Sequence, residues 1–201
     1  MIPKHYYEQL INRLETKFML LSIPFKIFLH PLLTLSEAVA GTYLVKTGEL
    51  QESITFIIAG SAEQQGPLKY FQKKKKPDYS VNWFWGTNDL VFCAPGFFSR
   101  QAAKHNVILR EDSIILQLQY EEFKILKAGY PEAEILIELV RDHYQELMAN
   151  RQEDLRHLTH EELYENFKAE RKDILYNCSI YKLADYLGMS YRSFTRIHNK
   201  K

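Results

Sequence analysis

Apolar residues near the N-terminus recur at steps of three and four, which is the spacing of one face of a helix. This stripe comprises Tyr6, Leu10, Leu14, Phe18 and Leu21. Pro24 and Pro31 follow and are expected to interrupt any helix, because proline lacks the backbone N–H and clashes with the preceding turn. The chain is therefore predicted to begin with one amphipathic helix.

Between residues 37 and 118 the pattern changes to short β-rich runs separated by turn residues. The predicted strands cover residues 42–45, 54–58, 80–85, 106–109 and 113–118. Because no long helix lies between these runs, they indicate an antiparallel sandwich or barrel. Residues Lys73 to Lys76 are predicted to form a solvated loop at the tip of a hairpin rather than a phosphate site.

A long helix is predicted from Pro131 onward, with Glu132 and Glu134 near its positive N-terminal end. One face of this helix carries Leu136, Val140, Tyr144 and Leu147, and Ile135, Leu139 and His143 lie beside it. A stripe this broad predicts a partner on each flank, the sheets on one side and a second copy of the helix on the other. We therefore expect a homodimer through the first four residues; the alternative is a single core helix.

A further helix is predicted to begin at Thr159, because Thr159 and Glu162 have the spacing of a capping box. Its apolar face comprises Leu163, Tyr164 and Phe167, and residues 173–179 are predicted to be a short connector.

Residues 180–199 (IYKLADYLGMSYRSFTRIHN) fit two helices joined by a short turn, the pattern of a DNA-binding helix-turn-helix. Ala184 is small enough to lie where the two helices cross, and Gly188 can take the left-handed conformation of the turn. Ser190 is predicted to cap the second helix. The inward positions of the unit are all apolar, namely Leu183, Leu187, Met189, Phe194 and Ile197.

The second helix is predicted to present a basic outer face. The whole chain is nearly neutral, with 26 Lys and Arg against 25 Asp and Glu, yet every charged residue from Gly188 onward is basic. Arginine pairs with guanine edges, and hydroxyls suit phosphates or bases. The residues predicted to contact DNA are Ser190, Tyr191, Arg192, Ser193, Thr195, Arg196 and Lys200. The alternative is an ordinary helical hairpin with a solvated face.

This C-terminal stretch resembles the cyclic-AMP receptor/FNR superfamily. Its Gly-x-Ser/Thr-x-x-Thr/Ser-hydrophobic-x-Arg-hydrophobic run is matched in order by Gly188, Ser190, Ser193, Phe194, Arg196 and Ile197. Upstream, ELYENF at 162–167 and LADYLG at 183–188 are similar to the arrangement in the shorter regulators of that family. GTYLV at 41–45, the Gly48-Glu49 pair and FIIAG at 56–60 resemble the glycine ladder of its cyclic-nucleotide-binding β-roll.

The resemblance implies an α+β fold in three parts. Residues 1–130 would form an N-terminal antiparallel β-roll of the cyclic-nucleotide-binding jelly-roll type, 131–158 a dimerisation helix and linker, and 159–201 a helix-turn-helix DNA-binding domain. It further implies a transcription regulator rather than an enzyme, with double-stranded DNA, a second copy and RNA polymerase as partners. Tyr191, Arg192 and Arg196 would contact base pairs. Many members have Arg-Glu at the first two of these positions, so a different operator is expected.

The family's cyclic-nucleotide signature is degraded here. The ribose-binding Gly-Glu pair is missing from 85–89 and 97–104, and Arg100 is followed by Gln101 and Ala102. An anion needs a positive group with oriented donors, and in these two segments only Arg100 or Lys104 could supply the charge. We expect either no effector or a small molecule other than cyclic AMP. Its predicted pocket comprises Trp85, Asn88, Phe98, Arg100 and Lys104.

Other classes of site lack the residues they need. Two distant cysteines, Cys93 and Cys178, exclude a four-cysteine iron–sulfur cluster and argue against a disulfide framework and a zinc site. His105 and His143 are isolated candidates for a haem ligand, and such histidines are usually structural. A cupin-like enzyme needs a ligand cluster, but His105 is the one histidine between residues 37 and 118. We expect no cofactor, no metal and no catalytic residues.

Two further expectations concern surroundings and partners. No signal peptide or membrane-spanning run is recognisable, so the chain is expected to be cytoplasmic. The sequence stops just after the second helix, where many relatives continue into a β-hairpin wing, so fewer phosphate contacts are expected. The competing hypothesis is a β-barrel small-molecule sensor that acts through a protein partner.

Overall fold

The computed structural model describes residues 2–67 and 79–200; the predicted lysine loop at 73–76 lies outside them. Within these residues the helices are α1 (Lys4–Lys17), α2 (Ile23–Leu29), α3 (Tyr120–Gly129), α4 (Glu132–His157), α5 (His160–Glu170), α6 (Lys172–Asn177), α7 (Ile180–Tyr186) and α8 (Tyr191–His198). The strands are β1 (Leu33–Ala38), β2 (Tyr43–Val45), β3 (Ser53–Ala59), β4 (Ala62–Pro67), β5 (Tyr79–Trp85), β6 (Leu90–Val91), β7 (Asn106–Leu109) and β8 (Ser113–Gln119).

The strands form two antiparallel four-stranded sheets that make up a β-roll. The first sheet has the order β1-β8-β3-β6 and the second has the order β2-β7-β4-β5. This arrangement confirms the predicted antiparallel architecture and the five predicted strands. The sequence pattern did not indicate β1, β4 or β6, since β4 reads as a polar run (AEQQGP) and β6 has only two residues.

Side chains alternate between the two faces of the first sheet, and helices cover its outer face. Phe56 of β3 and Leu116 of β8 are paired in register and project toward these helices. The apolar residues that the helices contribute to the same core include Leu10, Leu14, Phe25, Leu29, Phe123, Leu126, Leu136 and Val140. Burying each large apolar side chain stabilises the fold by about 1.5–3 kcal/mol, so α1 to α4 and this sheet share one hydrophobic core.

The N-terminal helix is shorter than its apolar stripe suggests. α1 ends at Lys17, and Leu21 lies beyond the helix yet is buried in the core. Pro24 does not interrupt a helix but lies in the first turn of α2, where a missing N–H costs no hydrogen bond. The Ser22 hydroxyl caps α2 by accepting from the N–H of Phe25 at 3.2 Å.

The residues predicted to pair two copies of α4 instead face this chain's own core. Leu136, Val140 and Tyr144 are buried, and Leu147 packs against the same cluster. The Tyr144 hydroxyl also accepts a hydrogen bond from the N–H of Leu90 at 3.1 Å. Periodicity identifies an apolar stripe but not the surface that covers it. The interface assignment is therefore corrected: these residues attach α4 to the roll.

The C-terminal helices begin as predicted and contain one additional element. The Thr159 hydroxyl accepts from the N–H of Glu162 at 3.3 Å, and the Glu162 carboxylate accepts from the N–H of Thr159 at 2.8 Å. This pair confirms the capping box. The prediction of a connector at 173–179 is wrong, because α6 occupies most of it and buries Ile174 and Leu175.

Strand β5 contributes to two separate cores. Its pairing with β4 shifts register between Gln64 and Gln65, so that β5 has one extra residue between Val81 and Trp83. Trp83 and Trp85 belong to the core of the roll, whereas Val81 and Phe84 belong to a second core formed with α5 to α8. The outer face of the second sheet is thereby the surface on which the terminal helices pack.

A buried carboxylate strengthens this packing. Glu63 of β4 is 1% exposed, and its carboxylate accepts from Lys182 Nζ of α7 at 2.7 and 2.9 Å. It also accepts from Gln65 Nε2 at 2.8 Å, and Arg110 Nε lies 3.6 Å away. One turn further along α7, Asp185 accepts from the N–H of Val81 at 2.9 Å. The charged groups of α7 therefore fix its position on β4 and β5.

The environment of Lys182 favours its charged form. Burial alone would lower the pKa of Lys182, but the hydrogen bonds and charges of Glu63 and Tyr79 outweigh burial and raise it.

Among the helices that lie within residues 2–67 and 79–200, none is both long and apolar enough to cross a membrane.

Replacing Lys182 with Met leaves Glu63 buried beside the more distant Arg110. We expect the free energy of unfolding to fall by about 3 kcal/mol, because one partner of a buried ion pair remains uncompensated. Because the pKa of Lys182 is raised in the folded state, the pair stabilises the protein below the unfolded lysine pKa of about 10.4. The difference from wild type should shrink as the pH rises through the folded pKa. Urea denaturation at several pH values measures both effects.

The control is Lys4→Met, which breaks an exposed pair with Glu8 and should cost less than about 1 kcal/mol. The double variant Glu63→Gln/Lys182→Met should recover much of the lost stability, since it removes the buried charge. An equal loss for Lys182→Met and Lys4→Met contradicts the importance of the buried pair.

Candidate nucleic-acid interface

The last two helices are joined by a tight turn. Gly188 has φ +66°, in the left-handed region that glycine adopts without a Cβ penalty. The N–H of Met189 donates to the carbonyl of Ala184 at 2.8 Å, which closes the end of α7. The Ser190 hydroxyl then caps α8 by accepting from the N–H of Ser193 at 3.0 Å. The predicted glycine turn and serine cap are both confirmed.

The inner side of this helix pair is fully packed. Every apolar residue predicted to point inward is buried, together with residues of α5 and α6: Leu163, Tyr164, Phe167, Ile174, Leu175, Leu183, Ala184, Leu187, Met189, Phe194 and Ile197. The Tyr164 hydroxyl also lies 2.9 Å from His198 Nδ1. Because α8 is anchored on one side over its whole length, its other side is a rigid surface.

The outer side of α8 presents the predicted cationic residues. Arg192 is exposed, and the side chains of Arg196 and Lys200 are 67% and 61% exposed. Tyr191 stacks on Tyr181 of α7, with ring centroids 4.4 Å apart. Tyr181 is thus a second aromatic residue beside the cationic surface of α8. The sequence pattern alone did not assign Tyr181 to that surface.

The three predicted hydroxyl contacts are already used within α8. The Ser190 and Ser193 hydroxyls lie 2.9 Å apart, and the Thr195 hydroxyl donates to the carbonyl of Tyr191 at 2.9 Å. These groups stabilise the first turn of the helix, and each oxygen retains capacity to accept a further hydrogen bond.

An acidic residue adjoins the cationic surface. Glu161 Oε1 of α5 lies 3.5 Å from Lys200 Nζ and 4.0 Å from Arg196 Nη2. All three side chains are largely exposed, so these pairs contribute little to stability. The absence of acids after Gly188 therefore did not predict the charge of the folded surface, because Glu161 is distant in sequence and close in space.

The C-terminal end of α7 also contacts α4. The Arg151 guanidinium lies over the Tyr186 ring, 4.1 Å from its centroid, and donates to the backbone carbonyl of Tyr186. Arg110 of the roll donates to the carbonyl of Asn177 at 2.7 Å. Helix α7 is thus held by α4 at Tyr186, and α6 is held by the roll at Asn177.

The five residues predicted to line an effector pocket do not form one. Trp85 lies inside the roll, Phe98 packs against Phe92 and Phe123, and Lys104 is exposed. Asn88 accepts from Gln9 of α1 at 2.9 Å. The predicted pocket is therefore corrected: its members are distributed over separate parts of the molecule.

Arg100, the predicted anion-binding residue, is occupied by neighbours within the chain. Its guanidinium donates to the carbonyl of Gln51 at 3.1 Å and to the carboxylate of Glu52 at 3.1 Å. It also lies over the Tyr120 ring, 3.9 Å from the centroid. With its charge paired and its flat face covered, Arg100 serves to attach the segment after β6 to the roll.

No protein-family model matches the chain. No curated protein matches it either. Solved structures are similar to it. FixK2 from Bradyrhizobium japonicum has a TM-score of 0.70 at 12% identity, over 84% of this chain and 83% of that chain. The c-di-GMP responsive global regulator CLP from Xanthomonas campestris has a TM-score of 0.62 at 13% identity, over 89% and 91%.

The catabolite activator protein of Thermus thermophilus has a TM-score of 0.54 at 14% identity, over 92% of this chain and 84% of that chain. At such identities the likeness concerns the fold alone. It agrees with the predicted combination of helices with an antiparallel β-roll like that of cyclic-nucleotide-binding domains. The chain shares the fold of Crp/Fnr-type regulators and cyclic-nucleotide-binding domains.

Proposed function

We propose that this chain is a sequence-specific DNA-binding transcription regulator that acts as a homodimer. The observation that carries the proposal is the outer face of α8, where Arg192, Arg196 and Lys200 are exposed on a helix whose inner side is fully packed. The shared fold supports it, since two of the similar structures are a global regulator and a catabolite activator protein.

In this proposal α8 enters the major groove of DNA. An α-helix with its side chains is about 10–12 Å in diameter, which suits a groove about 12 Å wide, and the eight residues of α8 extend about 12 Å along it. Arg192 and Arg196 would donate to guanine edges, and Lys200 would contact phosphate. Tyr191, held by its stack on Tyr181, would approach bases at the start of the helix. Contacts from Ser190, Ser193 and Thr195 stay a prediction.

Glu161 would oppose non-specific binding in this proposal. DNA that approaches Lys200 and Arg196 must come close to the negative charge of the Glu161 carboxylate, which repels it. Because the pairs are solvated, this cost is small and depends on salt. It acts on any DNA, whereas base contacts from Arg192 favour the correct sequence. The acidic neighbour would therefore raise specificity relative to overall affinity.

The proposed dimer uses the outer face of α4 rather than its buried stripe. Ile135 and Leu139 are 53% and 38% exposed and lie one turn apart on this helix. Pairing two copies along α4 would place two copies of α8 about 34 Å apart, one turn of DNA.

We further propose the division into 1–130, 131–158 and 159–201, a cytoplasmic location and RNA polymerase as a partner. In this proposal the chain senses either no effector or a small molecule other than cyclic AMP.

A second candidate function is a sensor that acts through a protein partner. The observation that favours it is the stacked pair of Tyr181 and Tyr191, which are 37% and 41% exposed beside the cationic residues, since aromatic side chains are enriched at protein interfaces. The surface of α8 would then bind an acidic partner protein. Selection from random DNA sequences separates the two functions.

Selection of random duplexes by the wild-type chain should recover an inverted repeat with half-sites about one helical turn apart. Arg192→Ala/Arg196→Ala should weaken binding to the recovered sequence at least about thirtyfold, because each bidentate arginine contributes about 1–3 kcal/mol of base discrimination. Fluorescence anisotropy at fixed salt measures the change.

The matched control is Lys124→Ala/Lys127→Ala, which removes two positive charges from α3 and should leave the affinity within about twofold of wild type. Glu161→Gln should increase affinity for unrelated DNA, most strongly at low salt. Recovery of no preferred sequence, with both double variants behaving like wild type, would refute DNA recognition by α8 and favour the partner-binding function.

Ile135→Glu/Leu139→Glu should convert the dimer to a monomer, because four like charges would meet at the paired face of α4. Sedimentation velocity should then report a species of 23.8 kDa instead of its dimer. Ile27→Glu changes an isoleucine on α2 that is 69% exposed, more than Ile135, and should leave the dimer intact. If Ile27→Glu dissociates the dimer and the α4 variant does not, the interface lies on α2.

A further inference from the structure

A small cavity of about 40 Å³ lies where four parts of the chain meet. Its walls are formed by α1, the turn between β5 and β6, α4, and the junction of α5 with α6. The polar residues that line it are Arg13, Asn88, Asp89, His143, Tyr144 and Arg171. Neither the DNA surface nor the dimer face includes any of them.

The cavity has an excess of positive charge. Asp89 is shared by two guanidinium groups, with Oδ1 3.5 Å from Arg13 and Oδ2 3.1 Å from Arg171. Asp89 Oδ2 also accepts from the N–H of Gly86 at 2.8 Å. Among the residues that line the cavity, one carboxylate therefore balances two arginines, and it is itself fixed by the β5–β6 turn. A second carboxylate, that of Asp173, lies near Arg171 beside Gly86 and outside this lining. The side chains of Asp89 and Arg171 are 15% and 25% exposed, whereas that of Arg13 is 36% exposed, so the cavity is reached from the side of Arg13.

One donor at this site has no acceptor. Arg171 Nη2 is buried and has no hydrogen-bond partner among the described residues. Buried donors are nearly always paired in proteins, because an unmet charged donor carries its full desolvation cost. Arg13 also keeps donors free for a second acceptor, since its contact with Asp89 at 3.5 Å is long. The two guanidinium groups thus offer donors that Asp89 does not use.

We propose that this cavity binds a small planar oxyanion between the guanidinium groups of Arg13 and Arg171. A planar anion matches the fork of guanidinium donors, as carboxylates do. The volume accommodates about three water-sized groups, which suits an anion of three or four heavy atoms such as formate or nitrate. A tetrahedral dianion is too large and would meet Asp89 with twice the repulsion. The site does not depend on the proposed DNA binding.

Histidine 143 should report the bound anion. Burial lowers the pKa of His143, and the charges of Lys17 and Arg13 lower it further, whereas Glu146 and Asp89 oppose this effect. Phe18 packs on the ring, with centroids 5.7 Å apart. A bound anion stabilises the imidazolium form, so it should raise the pKa of His143. By linkage the anion should bind more tightly as the pH falls through that pKa.

The test is an NMR titration of the full chain with labelled histidine, adding sodium formate or sodium nitrate in exchange for chloride at constant ionic strength. The His143 ring signals should shift saturably and should titrate at higher pH in the presence of formate. Sodium sulfate should produce no saturable shift. A His143→Asn sample assigns the signals among the seven histidines.

Two variants should change the affinity in opposite directions. Arg13→Gln should weaken binding at least about tenfold, because it removes a charge-assisted contact. Asp89→Asn should strengthen binding, because the anion no longer competes with an internal carboxylate. Arg141→Gln, an exposed cation on α4, is the control and should change nothing. If Arg13→Gln does not fold, Arg13→Lys tests the fork geometry with the charge retained and should weaken binding less.

Shifts that grow linearly with salt, appear equally with sulfate, or persist unchanged in both Arg13 variants overturn the proposal. Arg192→Ala/Arg196→Ala should bind formate like wild type, so failure of DNA recognition and failure of the anion site are distinguishable.

Discussion

The buried carboxylate of Glu63 constrains the arrangement of the whole C-terminal half. A charge that is 1% exposed needs a counter-ion, and Lys182 of α7 supplies it at 2.7 Å. Apolar contact between Phe84 and the rings of Phe167 and Tyr186 stabilises the packing of the terminal helices on the second sheet but does not fix their orientation. The ion pair adds direction, since only one placement of α7 brings Lys182 to Glu63. The orientation of α8, and hence of its cationic face, follows from this placement.

Helix α4 packs against two separate surfaces along its length, the first sheet near its start and α7 near its end. Its first half buries Leu136 and Val140 against the outer face of the first sheet, whereas near its end Arg151 contacts the last turn of α7. At 26 residues it is about 39 Å long, which is enough to reach both. Its polar and partly apolar outer face remains in solvent within one chain. A single rigid element thus connects the roll, the helix pair and the proposed dimer face.

Local sequence signals predicted local structure well. The left-handed glycine at 188, the serine cap at 190 and the capping box at 159–162 each depend on residues within four positions of one another. The strands with alternating apolar residues were predictable for the same reason. The polar strand β4 was not predictable, because Glu63 and Gln65 are needed for contacts with α7 that only the folded chain creates. The short helix α6 was missed because Ile174 and Leu175 alone show no period.

Contacts between distant segments account for the remaining differences in the candidate sites. Arg100 has the chemistry of an anion-binding residue, but its pairing with Glu52 and stacking on Tyr120 depend on how the roll closes. Arg13, Asp89 and Arg171 are separated by more than seventy positions each, and only the fold places them around one cavity. Charge spacing along the chain carries no information about such clusters.

Strand β5 contributes side chains to two hydrophobic cores, and its extra residue determines which side chains face each core. From Val81 to Trp85, successive side chains point alternately to the helices and to the roll. The extra residue Asn82 shifts this alternation once, by one position. Deleting Asn82 would restore a regular alternation and keep Val81 beneath α7, because Val81 and Trp83 already face opposite sides of the sheet. A deletion or insertion elsewhere between Val81 and Trp85 would instead exchange the two faces and leave a place beneath α7 or in the roll unfilled. Away from Asn82, this segment should therefore tolerate substitutions of similar size far better than a change in length.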